Sequence, residues 1–403
     1  MSSDRPAPRR RVEPAAASDA ACPPLGQALV VFLVVAGVLY LVMGLVVPRL
    51  PHALGRHLAP PFTGPPFLRG WAQWDSGWYY RIARDGYSYV VGQQSTVAFF
   101  PAYPLVVRSV AAVAGDAYVA GILVTLVAGA GVAVLLFAWL RTRLAPPAAS
   151  TALLAFLLFP YAFYLYGAVY ADALFIGAVL GAFLLLDLDR PLLAGVAGAL
   201  ATTARPGGVV LIVALAVRAL ERRGALRRDG GGLVDWRRAR LCDAGVLLSV
   251  LGLSGWCAYL WFRFGDPLAF ATVQDAWHQG AGPATWLKAQ FFYDVIHFHS
   301  LRAWLLFMAH PVLTVAAACL IPRVFRRFGS GYGVYVMLLI GLSALSTKNF
   351  FGMARYLLAA FPCFAVVGEL LADGVVRRRV ALATSAAGLV VLTAIFGTGY
   401  YLS

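Results

Sequence analysis

Residues Trp71–Tyr87 read WAQWDSGWYYRIARDGY. They form a polar, aromatic, charged island in a chain that is otherwise mostly hydrocarbon. Ser76–Arg84 has the composition of a short helix ended by Gly86, which places Asp75 at its N-cap. The plain reading of Asp75 is a helix cap. The chemical reading is a carboxylate that accepts a proton at a membrane surface. Trp71, Trp74 and Trp78 are spaced three and four apart, so one helical face can carry all three beside the carboxylate. Apolar aromatic walls raise a carboxylate's basicity. The same tryptophans also suit an interfacial aromatic belt. Arg81, Arg84 and Asp85 fall away from the face shared by Trp78 and Ile82, as a solvated face touching headgroups would.

Working outward, composition decides the class. Of 403 residues 61% are hydrophobic and 13% charged, against roughly 45–50% apolar for soluble domains. That is an all-α polytopic membrane protein. Residues 1–25, rich in Pro, Ala and Arg, read as a disordered cytoplasmic tail. The run 26–47 is too long for a cleaved signal segment and reads as a retained first helix. Residues 26–403 then form one membrane domain, whose long first outer loop, 48–116, carries the polar island. Within that loop Ala98–Ala114, interrupted by Pro101, Pro104 and Arg108, suits a helix lying along the bilayer. Ten further apolar segments read as spans: 117–140, 148–166, 172–187, 191–204, 207–220, 242–263, 301–321, 331–346, 356–372 and 380–399. The expected count is about eleven. Five scattered cysteines without a CxxC pair give neither a disulfide framework nor a metal knuckle.

Charge sets the orientation. With the N-terminus inside, the inner segments hold 21 of the 33 Lys and Arg residues. The bias favours a cytoplasmic N-terminus and an extracytoplasmic face for the polar island. The net charge of +15 is thus mainly an orientation signal, not a nucleic-acid footprint.

The remaining candidates lie in outer segments. Tyr170 and Asp172 stand at a helix entrance, where an acid is satisfied by the helix N-terminus or serves chemistry. Arg205 interrupts an apolar hairpin, which is costly without a partner anion; Asp172, Asp75 and a lipid phosphate are the choices. Lys348 and Arg355 bracket an aromatic turn and suit a lipid-borne phosphate, or bulk headgroups on the plainer reading. His278 lies with Asp275 in the loop Phe264–Ser300, and His297 and His299 follow; with His52 and His57 they offer a metal site little support. His310-Pro311 reads as a helix kink with a buried neutral histidine.

Three motifs together carry a resemblance. They are Trp74-Asp75-Ser76-Gly77-Trp78-Tyr79 with Ile82-Ala83 and Gly86-Tyr87; Ala98-Phe99-Phe100-Pro101-Ala102-Tyr103-Pro104; and Met353-Ala354-Arg355-Tyr356. Phe159-Pro160, Tyr170-Ala171-Asp172 and Thr203-Ala204-Arg205-Pro206 follow in matching order. The chain, from about residue 26 to 372, resembles a bacterial form of the PIG-V-type mannosyltransferases of the GT-C class. The resemblance implies an inverting transfer of a sugar, usually mannose, from a polyprenyl-phosphate carrier. Asp75 matches the catalytic carboxylate, and Arg205 and Arg355 match phosphate-side positions. Gln73 replaces a frequent arginine and Asp172 a usual glutamate, which leaves the acceptor open among glycolipid, glycan and protein. Trp74, Trp78, Tyr79, Tyr103, Tyr170 and His278 are expected at the substrates, Lys348 at the donor phosphate, and Asp172 as a second catalytic acid. No cofactor is expected; metal dependence stays open, although a lone Asp without a DxD pair argues against it. The arginine-rich, lysine-poor composition suits the plasma membrane of a high-GC bacterium. The competing class is a transporter or flippase of lipid-linked sugar, which would place ionisable residues mid-span; here they gather at one surface.

Overall fold

The computed structural model describes residues 24–53, 62–226, 234–277, 279, 282–297 and 300–402. The tail 1–25 falls almost wholly outside them, as do His57, His278 and His299. Among the described residues every regular element is helical, apart from one isolated bridge between Leu226 and Val234. The first helix, α1 (Gly26–Arg49), loosens through a π-helical turn at Val42–Val46 and tightens at Val47–Arg49 before the chain becomes extended at Leu50. Two shorter helices follow, α2 (Ser76–Asp85) and α3 (Ala102–Ala114). Then come α4 (Ala117–Arg141), α5 (Pro146–Leu157), α6 (Asp172–Asp187), α7 (Pro191–Ala204) and α8 (Val209–Arg222). The chain closes with α9 (Leu241–Phe264), α10 (Leu301–Phe328), α11 (Ser330–Ser346), α12 (Phe361–Ala372) and α13 (Val375–Gly397).

Where eleven spans are expected, five helices are long and apolar enough to cross a membrane alone: α1, α4, α9, α10 and α13. A sixth is broken, with Met353–Ala359 and α12 meeting at 83°. Pro362 accounts for that break, because it gives no N–H to the carbonyl of Leu358 and its ring crowds that carbonyl. The segment 148–166 is likewise not one span. Its helix α5 stops at Leu157, and a separate tight turn forms at Ala162–Leu165. Pro160 disfavours helical geometry at Phe159 and so separates the two. α5, α7 and α11 have 12, 14 and 17 residues, short of the roughly 20 needed to cross alone.

The helices pack closely through small residues. α6 lies between α4 and α7, α7 packs on the start of α9, α5 on α12, and α11 on α8 and α10. A Cβ at Gly195 of α7 would collide with the carbonyl of Gly245, and one at Gly129 of α4 with the carbonyl of Leu165. Glycine lets these backbones touch.

Charge is sorted to the two ends of the bundle. At one end Asp187 accepts from Arg143, from Arg218 at 2.9 Å and from the Tyr332 hydroxyl at 2.7 Å. Arg223 there joins Asp243 at 2.8 Å and Asp189 at 2.7 Å. Asp172, at the other end of α6, belongs to a second cluster. Fifteen helical steps separate the two acids, about 22 Å. The apolar middle of α6 therefore lies between two polar layers.

Candidate active site

The second cluster is assembled from five returns of the chain to one end of the bundle. The first is the turn ahead of α2. Trp74 adopts φ +54, a left-handed conformation that costs a tryptophan about 1–3 kcal/mol. Contacts hold the turn there. The Trp71 carbonyl accepts from Val169 N–H at 3.3 Å, and Asp75 N–H donates to the Tyr170 hydroxyl at 3.1 Å. The polar island is thereby joined to the loop before α6.

Asp75 is the N-cap residue of α2, as its spacing predicts, and Gly86 ends that helix at φ +85. The Asp75 side chain, however, makes no capping hydrogen bond. Its Oδ2 lies 3.6 Å from Nη1 of Arg355, with 26% of the Asp75 side chain exposed. Burial is the largest influence on this carboxyl and raises its pKa above the ordinary aspartate value. Arg355 pulls the other way by charge and hydrogen bonding, Asp172 adds to the rise, and Arg205 opposes it.

The shared tryptophan face does not form. α2 begins at Ser76, after Trp71 and Trp74, so helical spacing does not apply to them. Trp71 is fully buried against Tyr40 at 5.2 Å. Trp78 stacks on Phe99 at 5.7 Å, in the neighbouring cluster with Trp277. Trp74 meets Tyr401 edge-on at 4.7 Å. The groups around Asp75 are tyrosines instead: Tyr79, Tyr170 and Tyr401 all feel its charge. Tyr103 sits behind Tyr79 at 5.0 Å, with its hydroxyl committed to Thr125 and to the Gly121 carbonyl of α4. It is fully buried and forms the backing of the site, not its lining. Arg81, Arg84 and Asp85 are exposed, with Arg84 paired to Asp85 at 2.8 Å.

Asp172 opens α6 and is buried. Its partner is Arg205, which occupies the extended link between α7 and the turn at Pro206. Of the anions considered for that arginine, Asp172 holds it. The Arg205 guanidinium lies over the Tyr356 ring at 4.8 Å and near Phe175 at 5.9 Å. Arg355 follows Gly352, whose φ of +83 turns the chain into the one-turn helix Met353–Tyr356. Its guanidinium reaches 3.8 Å from Asp172 and lies over the rings of Tyr164, Tyr170 and Tyr356 at 5.1–5.3 Å. Asp75, Arg355, Asp172 and Arg205 thus form a row of alternating charge in an aromatic enclosure.

Lys348 is not in that row, and among the described residues it joins no ion pair; its backbone N–H faces Gln279 at 3.4 Å. The cation that shapes this region is Lys288, which sequence reading passed over. It is buried, donates to the carbonyls of Ala344 and Thr347, and lies 5.0 Å from the Phe350 ring. A cation on the last carbonyls of α11 satisfies that helix end. Burial lowers the lysine's pKa. His278 lies outside the described residues. Tyr164, Tyr356 and Tyr401 were also missed as site residues. Tyr356 was visible beside Arg355; nothing local marks Tyr401, which reaches the site only through the path of α13. His310 is buried within α10, which continues through Pro311, and its Nδ1 accepts from Ala354 N–H at 3.3 Å. Among the described residues no three His, Cys, Asp or Glu side chains converge on a metal-sized position.

The sequence matches no family model and no curated protein. Solved structures do match its fold. ArnT from Cupriavidus metallidurans, solved with undecaprenyl phosphate, aligns over 94% of this chain and 77% of its own, with a TM-score of 0.51 and 14% identity. An Archaeoglobus fulgidus oligosaccharyltransferase tethered with an acceptor peptide aligns over 92% of this chain, with a TM-score of 0.46 and 13% identity. The chain spans 55% of that protein's length. With its all-helical bundle, apolar spans and polar cluster after the first span, the chain has the fold of the GT-C membrane glycosyltransferases.

Proposed function

We propose that this protein is an inverting glycosyltransferase that moves a sugar, mannose on the resemblance of its motifs, from a polyprenyl-phosphate carrier to an acceptor hydroxyl at the extracytoplasmic face of a bacterial membrane. The observation that carries the reading is the disposition of Asp75. It stands at a helix N-terminus, yet its carboxylate is turned from the cap towards Arg355, beside Asp172 and Arg205. An acceptor hydroxyl is a poor nucleophile at neutral pH and needs a base. A polyprenyl phosphate already carries charge and leaves without an acid. One carboxylate with a pair of phosphate-binding arginines suits that division of labour.

In the proposed step the acceptor oxygen attacks the anomeric carbon as its proton passes to Asp75. The bond from that carbon to the phosphate oxygen breaks, and the phosphate departs with the electron pair, stabilised by Arg355 and Arg205. Attack opposite the leaving group inverts the centre. A donor phosphate that engages Arg355 draws it from Asp75, so the base strengthens as the donor arrives. ArnT, which shares the fold, was solved with undecaprenyl phosphate, and this supports a carrier of that class.

The test is turnover of radiolabelled polyprenyl-phosphate mannose by purified Asp75→Asn in nanodiscs. Loss of a general base should lower turnover by roughly 10²–10⁴ with donor binding retained. Turnover close to wild type would remove Asp75 from the chemistry.

A further inference from the structure

The loop Phe264–Ser300 contains a segment folded with its polarity reversed. The one-turn helix Pro283–Trp286 and the helix Ala289–His297 are joined through Lys288, which takes a left-handed φ of +58. In water such a pair would turn its apolar side chains inward. Here Lys288 is buried on the carbonyls of Ala344 and Thr347, and Asp294 faces inward to accept from Asn349 Nδ2 at 2.9 Å. Phe291 is the inward ring, stacked on Phe307 at 5.7 Å. Trp286, Leu287, Phe292 and Ile296 point outward and are 56–78% exposed.

The helices beneath fix the level of this segment. Ser330 and Gly331, at the start of α11, donate to Glu221, which joins Arg218 in the charged layer around Asp187. From Ser330 to Ser346 α11 rises about 24 Å, and Lys288 sits on its last carbonyls. On α10, Phe307 stands about 32 Å from Phe328 along the axis. Both measures put the segment near the far edge of a hydrocarbon core roughly 30 Å thick, not clear of it. The exposed apolar surface also runs on into α10, a span, through Leu301 and Leu305. Trp286 and Tyr293 are the residue types that gather at a headgroup boundary.

We propose that residues 283–297 form an interfacial hairpin seated in the bilayer leaflet on the active-site side. Leu287, Phe292 and Ile296 lie among the acyl chains, and Lys288 and Asp294 hold the other side to the protein. Their contacts, Thr347, Asn349 and the Phe350 ring, belong to the loop that leads into Gly352 and Arg355. The hairpin therefore joins the leaflet to that loop. Such seating requires no sugar transfer, so its failure and that of the glycosyltransferase reading are separable.

The probe is phosphatidylcholine with a diazirine in its acyl chain, in nanodiscs that hold one copy of the wild-type protein. After irradiation, label mapped by mass spectrometry should fall on Leu287, Phe292 and Ile296 to an extent comparable with Leu305 of α10. It should exceed by about tenfold the label on Val91, which is exposed in the loop after α2. Label on these three residues no greater than on Val91 overturns the proposal. Hydroxyl-radical footprinting of the same discs supplies the second readout, in which Phe292 should be protected in discs holding one copy. Oxidation of Phe292 in one-copy discs with protection in two-copy discs overturns the proposal and gives this face to a second copy of the chain.

Discussion

Arg355 stands 3.6 Å from the carboxylate of Asp75 and, through another nitrogen, 3.8 Å from that of Asp172. One guanidinium therefore serves two acids while burial disfavours the charge on Asp75. The consequence is a pH dependence whose sign can be worked out. On the proposed mechanism Asp75 acts as base only when ionised, so kcat/KM should rise with pH through its folded pKa. That limb should lie above the ~3.9 of an ordinary aspartate. Arg355 lowers the Asp75 pKa, so Arg355→Gln should move the limb up. Asp172 raises it, so Asp172→Asn should move the limb down. Profiles of kcat/KM for the three proteins check this; shifts of the same sign in both variants would remove Asp75 as the titrating group.

The pair Asp172–Arg205 predicts a stability effect separable from chemistry. Both side chains are largely buried, at 4% and 16% exposure. Removing one partner from a buried pair typically costs about 3–5 kcal/mol, because the other charge is left uncompensated. Asp172→Ala should therefore lower the melting temperature markedly. Asp172→Asn combined with Arg205→Gln should recover much of the loss without restoring donor binding. A double variant no more stable than the single one would show that the two charges do not depend on each other.

For the donor phosphate, a charge-assisted contact contributes about 1.5–3 kcal/mol, or roughly ten- to a hundred-fold in affinity. Arg205→Ala and Arg355→Ala should weaken donor binding to that extent and acceptor binding much less. Arg355→Lys should recover only part, since the planar fork is lost. Titration with polyprenyl phosphate checks both; unchanged affinity in both variants would make these arginines structural.

Asp75, Asp172, Arg205 and Arg355 were legible because each is an ionisable residue in a largely apolar chain, where charge needs a reason. The helix breaks were missed: Pro160 and Pro362 carry them, but the segments around them read as unbroken spans. The tryptophan face was misread because three- and four-residue spacing has meaning only inside a helix, and α2 begins after two of the three residues. Tyr401, Lys288 and the contact of the buried His310 with Ala354 were hidden for another reason. Their positions depend on where distant helices return: α13 brings Tyr401 over Trp74, and α10 brings His310 against Ala354. Neither relation leaves a local pattern.

Orientation can be read with a native thiol. Cys242 is exposed at the start of α9, next to Asp243 in the Arg223 cluster. If the site faces outward, an impermeant maleimide should label a cysteine placed at Gly92 in intact cells. Cys242 should react only after permeabilisation. Labelling of Cys242 in intact cells would reverse the orientation and put the candidate active site in the cytoplasm.

The last prediction concerns what holds Asp75 in place. Gly167 lies beneath the Trp71 ring, and a Cβ there would meet it at 2.7 Å. Trp71 is fully buried between that glycine and Tyr40, so it has little room to yield. Its carbonyl accepts from Val169, three residues before Asp172, and from the Ser76 hydroxyl at 3.4 Å, one residue after Asp75. Gly167→Ala should therefore cost about 1–3 kcal/mol as overpacking. It should also shift the carboxylate from its place beside Arg355. Misplacement by about 1 Å can reduce rate a hundred-fold, so turnover should fall well beyond the loss of folded protein. Ala168→Gly, beside it, adds no atoms and should leave turnover near wild type. Gly167→Ala protein with a normal melting temperature and normal turnover would show that the Trp71 packing does not position Asp75.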